Sequence, residues 1–216
     1  MAQGNVVHEP ELEAFFALLD EASRKGIRGQ LNRAKPTENF VPFNDINDYF
    51  NTPLQLEKIL EAVFRRAPST KIRIWVPPNY FKVFAILLRL EKGTYINHFI
   101  SHGLSDASLP FEKCPPDFPK ADPDKQFFPE FLRIQWEFCA PEFVYKQLSS
   151  RVFRHQKWIL PITQKTRLGG GGSATLFKIE LHPSYDHLLQ FNPNRRLVSL
   201  LAQIPKHLLS RDLIPL

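Results

Sequence analysis

The sequence predicts an α+β fold, and three observations support this prediction. The 216 residues are 43% hydrophobic and include 19 phenylalanines, which is enough apolar material for a packed core. Apolar residues at helical spacing dominate up to about Trp158, whereas strand-like segments and a glycine turn follow. The 19 prolines indicate short elements separated by irregular segments.

Two amphipathic helices are predicted in the first third of the chain. PELEAFFALLDEASRKG has acidic residues early, Arg24 and Lys25 late, and Gly26 as its expected C-cap. TPLQLEKILEAVFRRAP has Thr52 as its expected N-cap and Pro53 at the first helical position. Both helices are expected to pack against other elements through one apolar face.

The middle of the chain is predicted to contain a strand, two helices and a long loop. KIRIWVPP alternates in the manner of a half-buried strand that ends at Pro77. NYFKVFAILLRLEKG is the expected core helix, ending at Gly93, and TYINHFISHG is a short helix ending at Gly103. Residues 111–129 are predicted to be an irregular excursion because they are rich in proline. The aromatic segment FFPEFLRIQWEFCAPEF should return to the core, as either a strand or a helix.

The last third is predicted to form a β-hairpin. The alternation of apolar and polar residues predicts a strand at Thr163–Leu168, a glycine turn and a second strand at Thr175–Leu181. His182 is expected in the turn that follows, and Lys178 on the solvent side of the second strand. The predicted domains are an N-terminal helix and loop at 1–50, a helical and irregular accessory domain at 51–160, the hairpin at 161–190 and a basic tail at 191–216.

Composition excludes several classes of protein. There is no apolar run of about 18 residues, and the start MAQGNVVHEPEL lacks the features of a signal peptide. Cys114 and Cys139 alone form neither a disulfide framework nor a paired-cysteine metal site, and Cys139 is expected to be a buried thiol. A cytoplasmic or nuclear location is therefore expected.

The net charge of +6 is concentrated towards the end of the chain. From Lys146 onwards there are 11 Lys and Arg residues against 3 Asp and Glu. Such a region attracts phosphates or forms a solvated basic face. Binding to nucleic acid is not expected, because aromatic and basic residues do not alternate as single-strand binding requires.

The stretch RLGGGGSATLFKIELHP is either a flexible spacer or a loop that wraps a phosphate. GGGGS has the composition of a linker. However, Leu168 precedes it and Leu176 follows it in a hairpin-like pattern, and glycines let backbone N–H groups approach phosphate oxygens closely. A Walker loop is excluded because no GK[ST] follows, and a Rossmann loop is disfavoured because the glycines precede a strand.

Together with WILPI upstream, IELHPSYDHLL downstream and FISHGLSDASLPF far upstream, this stretch resembles the N-terminal region of protein kinase-like proteins of filamentous fungi. The resemblance covers residues 54–187. It implies a kinase small-lobe hairpin that binds ATP, with Mg²⁺ only if a complete kinase domain follows. The loop glycines of that family fall on Gly169 and Gly171, the third falls on Ala174, and Leu176 would cover the adenine. The nucleotide-contacting residues implied are Gly169, Gly170, Gly171, Gly172, Ser173, Ala174 and Leu176.

Several catalytic motifs of kinases are missing from the sequence. A kinase needs a third-strand lysine, a catalytic-loop Asp with a following Asn, and a DFG Asp. Lys206 follows Pro205, SRDLIP lacks the Asn, and DFP at Asp117 precedes the glycine loop. The expectation is a truncated serine/threonine kinase-like protein that retains weak ATP binding without catalysis. The alternative is a non-catalytic interaction module whose helical region contacts a protein partner, with GGGGS as a hinge.

Other polar residues have structural and chemical interpretations. His98 and His102 have the spacing of a metal-binding pair, with Asp106 as a third ligand, or they are surface histidines. Ser105 and Asp106 fit an N-cap turn better than a catalytic triad, because no GxSxG motif is present.

Overall fold

A computed structural model describes residues 9–28, 36–64, 75–115, 118, 127–144, 157–170, 174–188 and 200–205. The chain divides into two compact units, a helical unit of Met1–Ser23 and Val41–Phe138 and a sheet unit of Arg24–Phe40 and Cys139–Leu216. These boundaries differ from those predicted at residues 50, 160 and 190. The helical unit is interrupted between Ser23 and Val41 because two strands that follow the first helix in the sequence belong to the sheet unit.

The helical unit is built from short helices. The α-helices are α1 (Pro10–Ala22), α2 (Phe43–Asn51), α3 (Gln55–Phe64), α4 (Phe81–Arg89), α5 (Ile96–Ser101) and α6 (Phe127–Ile134). Single 3₁₀ turns occupy Pro78–Tyr80, Gly93–Tyr95, Asp106–Ser108 and Gln135–Glu137. The helix α2 had no counterpart among the predicted elements.

Helix α4 lies at the centre of the helical unit, as its sequence predicts. All of its side chains are buried except Lys82 and Arg89. Its end is not at Gly93, however, because the helix stops at Arg89 and Gly93 opens the next 3₁₀ turn. A Cβ at Gly93 would lie 2.9 Å from Val63 Cγ1, so the glycine permits close packing rather than a C-cap.

The end of α1 differs from its prediction. The helix ends at Ala22, and Arg24–Arg28 continue as a strand instead of a basic final turn. Gly26 is therefore not a C-cap. A Cβ on Gly26 would lie 2.5 Å from the carbonyl oxygen of Leu160, so this position needs glycine for close strand packing.

The start of α3 also differs from its prediction. Thr52 ends α2, with its backbone N–H and its hydroxyl both donating to the carbonyl oxygen of Asp48. Leu54 follows with a φ of 67°, and α3 begins only at Gln55. The apolar face predicted for this helix is confirmed, with Ile59 among its fully buried side chains.

The predicted irregular excursion at 111–129 is only partly correct. Phe111 and Phe118 are buried in the main core, and α6 already begins at Phe127. The aromatic return segment is helical. Buried Gln135 fixes the loop, because its side-chain amide accepts from the backbone N–H of Phe111 and donates to its carbonyl oxygen, both at 2.8 Å. The proline-rich segment therefore contributes to the core of the helical unit, because its phenylalanines are buried there.

Two predictions in the middle of the chain have different outcomes. The strand in KIRIWVPP falls largely on residues 71–74, which lie outside the described residues, and Trp75 and Val76 are not in a strand. Gly103 ends the short helix as predicted, with a φ of 66°.

The described residues of the sheet unit form two three-stranded antiparallel sheets. The first has the order β2 (Glu38–Phe40), β1 (Arg24–Arg28), β3 (Ile159–Leu160). The second has the order β4 (Ile162–Gly170), β5 (Ala174–Leu181), β6 (Leu200–Pro205). The predicted hairpin is confirmed as β4 and β5. The mixture of helices and small antiparallel sheets makes the fold α+β.

The sheet unit has a core of its own. Its buried residues are Ile27, Phe143, Leu160, Ile162, Ile179 and Leu188. His182 lies in the turn after β5, as predicted, where its Nδ1 accepts from the backbone N–H of Ser184. Cys139 is buried and forms no disulfide, also as predicted.

Candidate functional site

The glycine turn joins β4 to β5, and the structure describes part of it. Gly169 and Gly170 are the last residues of β4 and pair with Leu176 and Thr175 of β5. Ala174 begins β5. Gly171, Gly172 and Ser173 lie outside the described residues. The first two glycines therefore belong to an antiparallel ladder.

The approach to the turn is open. Gly169 is exposed, and a Cβ built on it meets no atom within 4 Å. Leu168 lies at an irregularity of register between Arg167 and Gly169, and its side chain is 53% exposed. Leu176 is half-buried on the opposite strand. The hairpin thus presents apolar side chains next to a backbone that a ligand can approach.

Both strands of the hairpin carry cationic side chains. Lys165 Nζ lies 4.1 Å from the centroid of the Phe177 ring, and burial lowers the pKa of Lys165 to about 8. Arg167 is exposed and pairs with Phe177 across the ladder. Lys178 pairs with Thr166 and is half-buried rather than fully exposed to solvent. With a pKa of about 8, Lys165 is still mainly protonated at pH 7. The register places Lys165 and Arg167 on one face of the hairpin and Lys178 on the other.

The strand β6 completes an antiparallel meander with the hairpin. Its Gln203 pairs with Leu176 and its Leu201 pairs with Lys178. Its sequence, LLAQIP, contains no lysine, and Lys206 lies beyond the described residues. The third strand therefore does not supply the cation that a kinase strand would place opposite the hairpin.

A groove in the helical unit is a second candidate site. It has a volume of about 910 Å³ and lies beside α3 and the α2–α3 connection. We call it the α3 groove; its described lining residues are Phe50, Asn51, Thr52, Pro53, Leu54, Leu56, Glu57, Leu60, Glu61, Phe64, Trp75, Val76, Pro78 and Phe81. The sequence contained a signal for it, because the alternation in KIRIWV places Trp75 on the polar side with Lys71 and Arg73.

Comparisons with known proteins give no relative. No protein-family model, no curated protein and no solved structure matches the chain. The kinase-like resemblance accordingly rests on the sequence motifs alone. Within the described part of the chain, no helix combines the length and apolar character needed to cross a membrane.

The histidine pair does not form a metal site with Asp106 in the structure. His102 Nδ1 lies 2.7 Å from the carbonyl oxygen of His98 and 3.0 Å from Ser101 Oγ, so its ring contacts its own helix. Among the residues that the structure describes, no cluster of three potential metal ligands occurs. Ser105 precedes the 3₁₀ turn at Asp106–Ser108, and its side chain makes no cap hydrogen bond.

Asp106 instead caps the core helix. Its carboxylate oxygens accept hydrogen bonds from the backbone N–H groups of Lys82 and Val83, at 3.0 and 2.9 Å. Burial raises the pKa of Asp106 from 3.8 to about 6, although both hydrogen bonds and the Lys82 charge act in the opposite direction. Sequence reasoning missed this role because Asp106 lies 24 residues after the helix end that it caps.

Proposed function

We propose that the β4–β5 hairpin is the nucleotide-binding element of a kinase-like small lobe and that it binds the phosphates of ATP. The observation that carries the proposal is the glycine turn itself. It closes an antiparallel hairpin that carries Lys165, Arg167 and Lys178. The same hairpin is the part of the sequence that most resembles the fungal kinase-like proteins.

The geometry supports a binding loop more than a spacer. A spacer needs no pairing, but Gly169 and Gly170 both pair across the ladder. The open space over Gly169 allows a phosphate to approach the backbone without a side chain in its path. Leu168 and Leu176 lie beside the turn and offer apolar surface to an adenine.

The proposal is limited to binding. Phosphoryl transfer depends on a third-strand lysine and on residues that hold Mg²⁺. Since β6 has no lysine and the sequence has no DFG motif, we assign the hairpin no catalytic step. ATP is expected to bind weakly, and Mg²⁺ should change its affinity little.

The first test measures thermal unfolding of the full chain with and without ATP. A ligand that binds only the folded state stabilises it by about 1.4 kcal/mol at ten times its Kd. We expect ATP at about 1 mM to raise the melting temperature by the amount that corresponds to this stabilisation. No shift at this or higher ATP concentrations would contradict the proposal.

Substitutions locate the effect on the hairpin. Gly169→Val should preserve the fold, since no atom lies near its Cβ, and should abolish the ATP-dependent shift by blocking the backbone. Arg167→Glu should weaken ATP binding by about tenfold or more. The matched control is Arg133→Glu, an exposed arginine of α6 that should leave the shift unchanged.

The hinge alternative makes the opposite prediction. Inserting two further glycines into GGGGS should not disturb a flexible hinge. In a binding loop the insertion would displace the backbone donors and remove the ATP effect. An ATP shift that survives the insertion would therefore argue against the loop.

A further inference from the structure

We propose that Thr52 is phosphorylated by a proline-directed serine/threonine kinase and that the phosphate loosens the turn between α2 and α3. The inference goes beyond nucleotide binding and does not depend on the hairpin. It rests on the residue that follows Thr52, on the exposure and backbone conformation of this segment, and on the hydrogen bond that the Thr52 hydroxyl donates.

The sequence singles out Thr52 as an acceptor. Of the 19 prolines in the chain, only Pro53 directly follows a serine or a threonine. Proline has no backbone N–H, so it can follow an acceptor hydroxyl into a water-poor active site without leaving a donor unpaired. A kinase that selects its substrates in this way requires a Ser-Pro or Thr-Pro pair. The chain offers one such pair.

The structure presents the Thr-Pro pair in an accessible form. Residues 51–54 are all exposed, and the pair lies between the end of α2 and the start of α3. Thr52 has an extended backbone, with a φ of −64° and a ψ of 128°. The residue before a proline prefers this conformation. An extended acceptor in an exposed turn can therefore enter an active site with little rearrangement of the chain.

The reaction is a phosphoryl transfer in which the partner kinase supplies the catalytic groups and Mg²⁺-bound ATP. The Thr52 hydroxyl oxygen attacks the γ-phosphorus of ATP and forms a new O–P bond. The bond between the γ-phosphorus and its bridging oxygen breaks, and ADP leaves. The hydroxyl proton passes to the catalytic base of the kinase.

The hydrogen bonds of Thr52 define what the phosphate would change. Its hydroxyl donates to the carbonyl oxygen of Asp48 at 2.8 Å, and its backbone N–H donates to the same oxygen at 3.0 Å. A phosphate ester has no hydrogen on this side-chain oxygen, so the first of these bonds is lost. The phosphate also adds a charge of about −1.5 to −2 at the C-terminus of α2, where the helix dipole is negative. The exposed Asp48 carboxylate, four residues earlier, adds repulsion.

The first experiment incubates the full chain with a purified proline-directed kinase and Mg²⁺-ATP, and mass spectrometry locates the phosphate. A peptide of residues 46–58 is the accessible reference. The chain should be phosphorylated on Thr52 at a rate within about tenfold of the peptide, because the turn does not have to unfold first. No phosphate on Thr52 of the chain would overturn the proposal. Phosphate there without added kinase would show that the chain modifies itself and that the proposed partner is wrong.

Substitutions test the recognition of the Thr-Pro pair. Thr52→Ala should abolish phosphorylation. Pro53→Ala keeps the hydroxyl and should lower the rate by about tenfold or more. The matched control is Thr94→Ala, which removes an exposed threonine of the same unit that is followed by Tyr95, and it should not change the rate. A normal rate for Pro53→Ala would contradict proline-directed recognition. Circular dichroism checks that each variant folds.

Hydrogen exchange tests the effect of the phosphate on the turn. The backbone N–H of Thr52 should exchange about tenfold faster in the phosphorylated chain than in the unmodified chain. Thr52→Val removes the hydroxyl bond without adding charge, so it should accelerate exchange less than the phosphate does. Unchanged or slower exchange in the phosphorylated chain would show that the phosphate does not loosen the turn, and this part of the proposal would be wrong.

Discussion

The helical unit and the sheet unit bury their apolar side chains differently. In the helical unit, phenylalanines from several segments stack on one another, and Phe131 has ring centroids of Phe99 and Phe128 at 5.1 and 5.8 Å. In the sheet unit, a smaller cluster joins the strands, and β4 is exposed from residue 166 to residue 170. The comparison teaches that packing specifies the first unit, whereas close backbone approach and strand register specify the second.

The largest expected effect is loss of an aromatic side chain from the helical core. Phe131 is fully buried, so Phe131→Ala should reduce the free energy of unfolding by about 3–5 kcal/mol, through lost burial and a residual cavity. Denaturant unfolding measures the change. Trp75→Ala is the control and should have a small effect, because Trp75 is largely exposed. Equal losses in the free energy of unfolding at both positions would contradict the expectation that packed aromatic residues stabilise the unit more than exposed ones.

The next effect concerns a buried charge in the helical unit. Because burial raises the pKa of Asp106 to about 6, the folded protein binds this proton more readily than the unfolded chain. The resulting stabilisation is fully present below the unfolded pKa of about 4 and is lost as the pH rises through about 6. The free energy of unfolding should thus increase by up to about 3 kcal/mol between pH 7 and pH 4 through this group.

The Asp106 contribution can be isolated with Asp106→Asn, which has no proton to exchange in this range. Urea unfolding at several pH values should show a smaller gain on acidification for the variant than for the original chain. Parallel pH profiles for the two proteins would show that Asp106 does not couple folding to pH.

A smaller effect is expected at a close contact in the sheet unit. Gly26→Ala would place a Cβ 2.5 Å from the carbonyl oxygen of Leu160 and 2.9 Å from Phe40 Cδ1. Relief of this overlap should cost about 1–3 kcal/mol of stability, measured by denaturant unfolding. A neutral substitution would show that β1 can move away from its neighbours, and it would weaken the claim that backbone approach specifies this unit.

The smallest effect is expected at the exposed end of the same unit. Gly169→Ala adds a Cβ into open space, so the free energy of unfolding should change by less than about 0.5 kcal/mol. Thermal unfolding of Gly169→Ala and Gly26→Ala in parallel makes the comparison within one unit. A large loss for Gly169→Ala would show that the turn is tightly constrained.

Sequence patterns predicted the elements better than their ends. The periodicity of α4 and the alternation around the glycine turn located a core helix and a hairpin, since both signals are local. The ends of α1 and α3 were misplaced. Gly26 and Thr52 are residue types typical of helix caps. In the structure, however, Gly26 packs closely against Leu160, and Thr52 caps the end of α2 rather than the start of α3.

The candidate site was predictable only in part. Glycine composition located the turn, and Leu168 and Leu176 framed it, but the spatial association of Lys165 with Phe177 required the strand register. The α3 groove is assembled from separate segments, so the alternation in KIRIWV indicates the exposure of Trp75 but not the groove itself. Asp106 shows the same limit, because a cap from 24 residues away leaves no local pattern.

The pairing of strand β1 constrains the order in which the two units can fold during synthesis. Ile27 and Arg28 pair with Leu160 and Ile159, although more than a hundred residues separate them in the chain. Once residue 138 has left the ribosome, every residue of the helical unit has been synthesised. At that point β3, which pairs with β1, has not yet been made. The early strand must therefore remain available through most of synthesis, and the sheet unit is finished last.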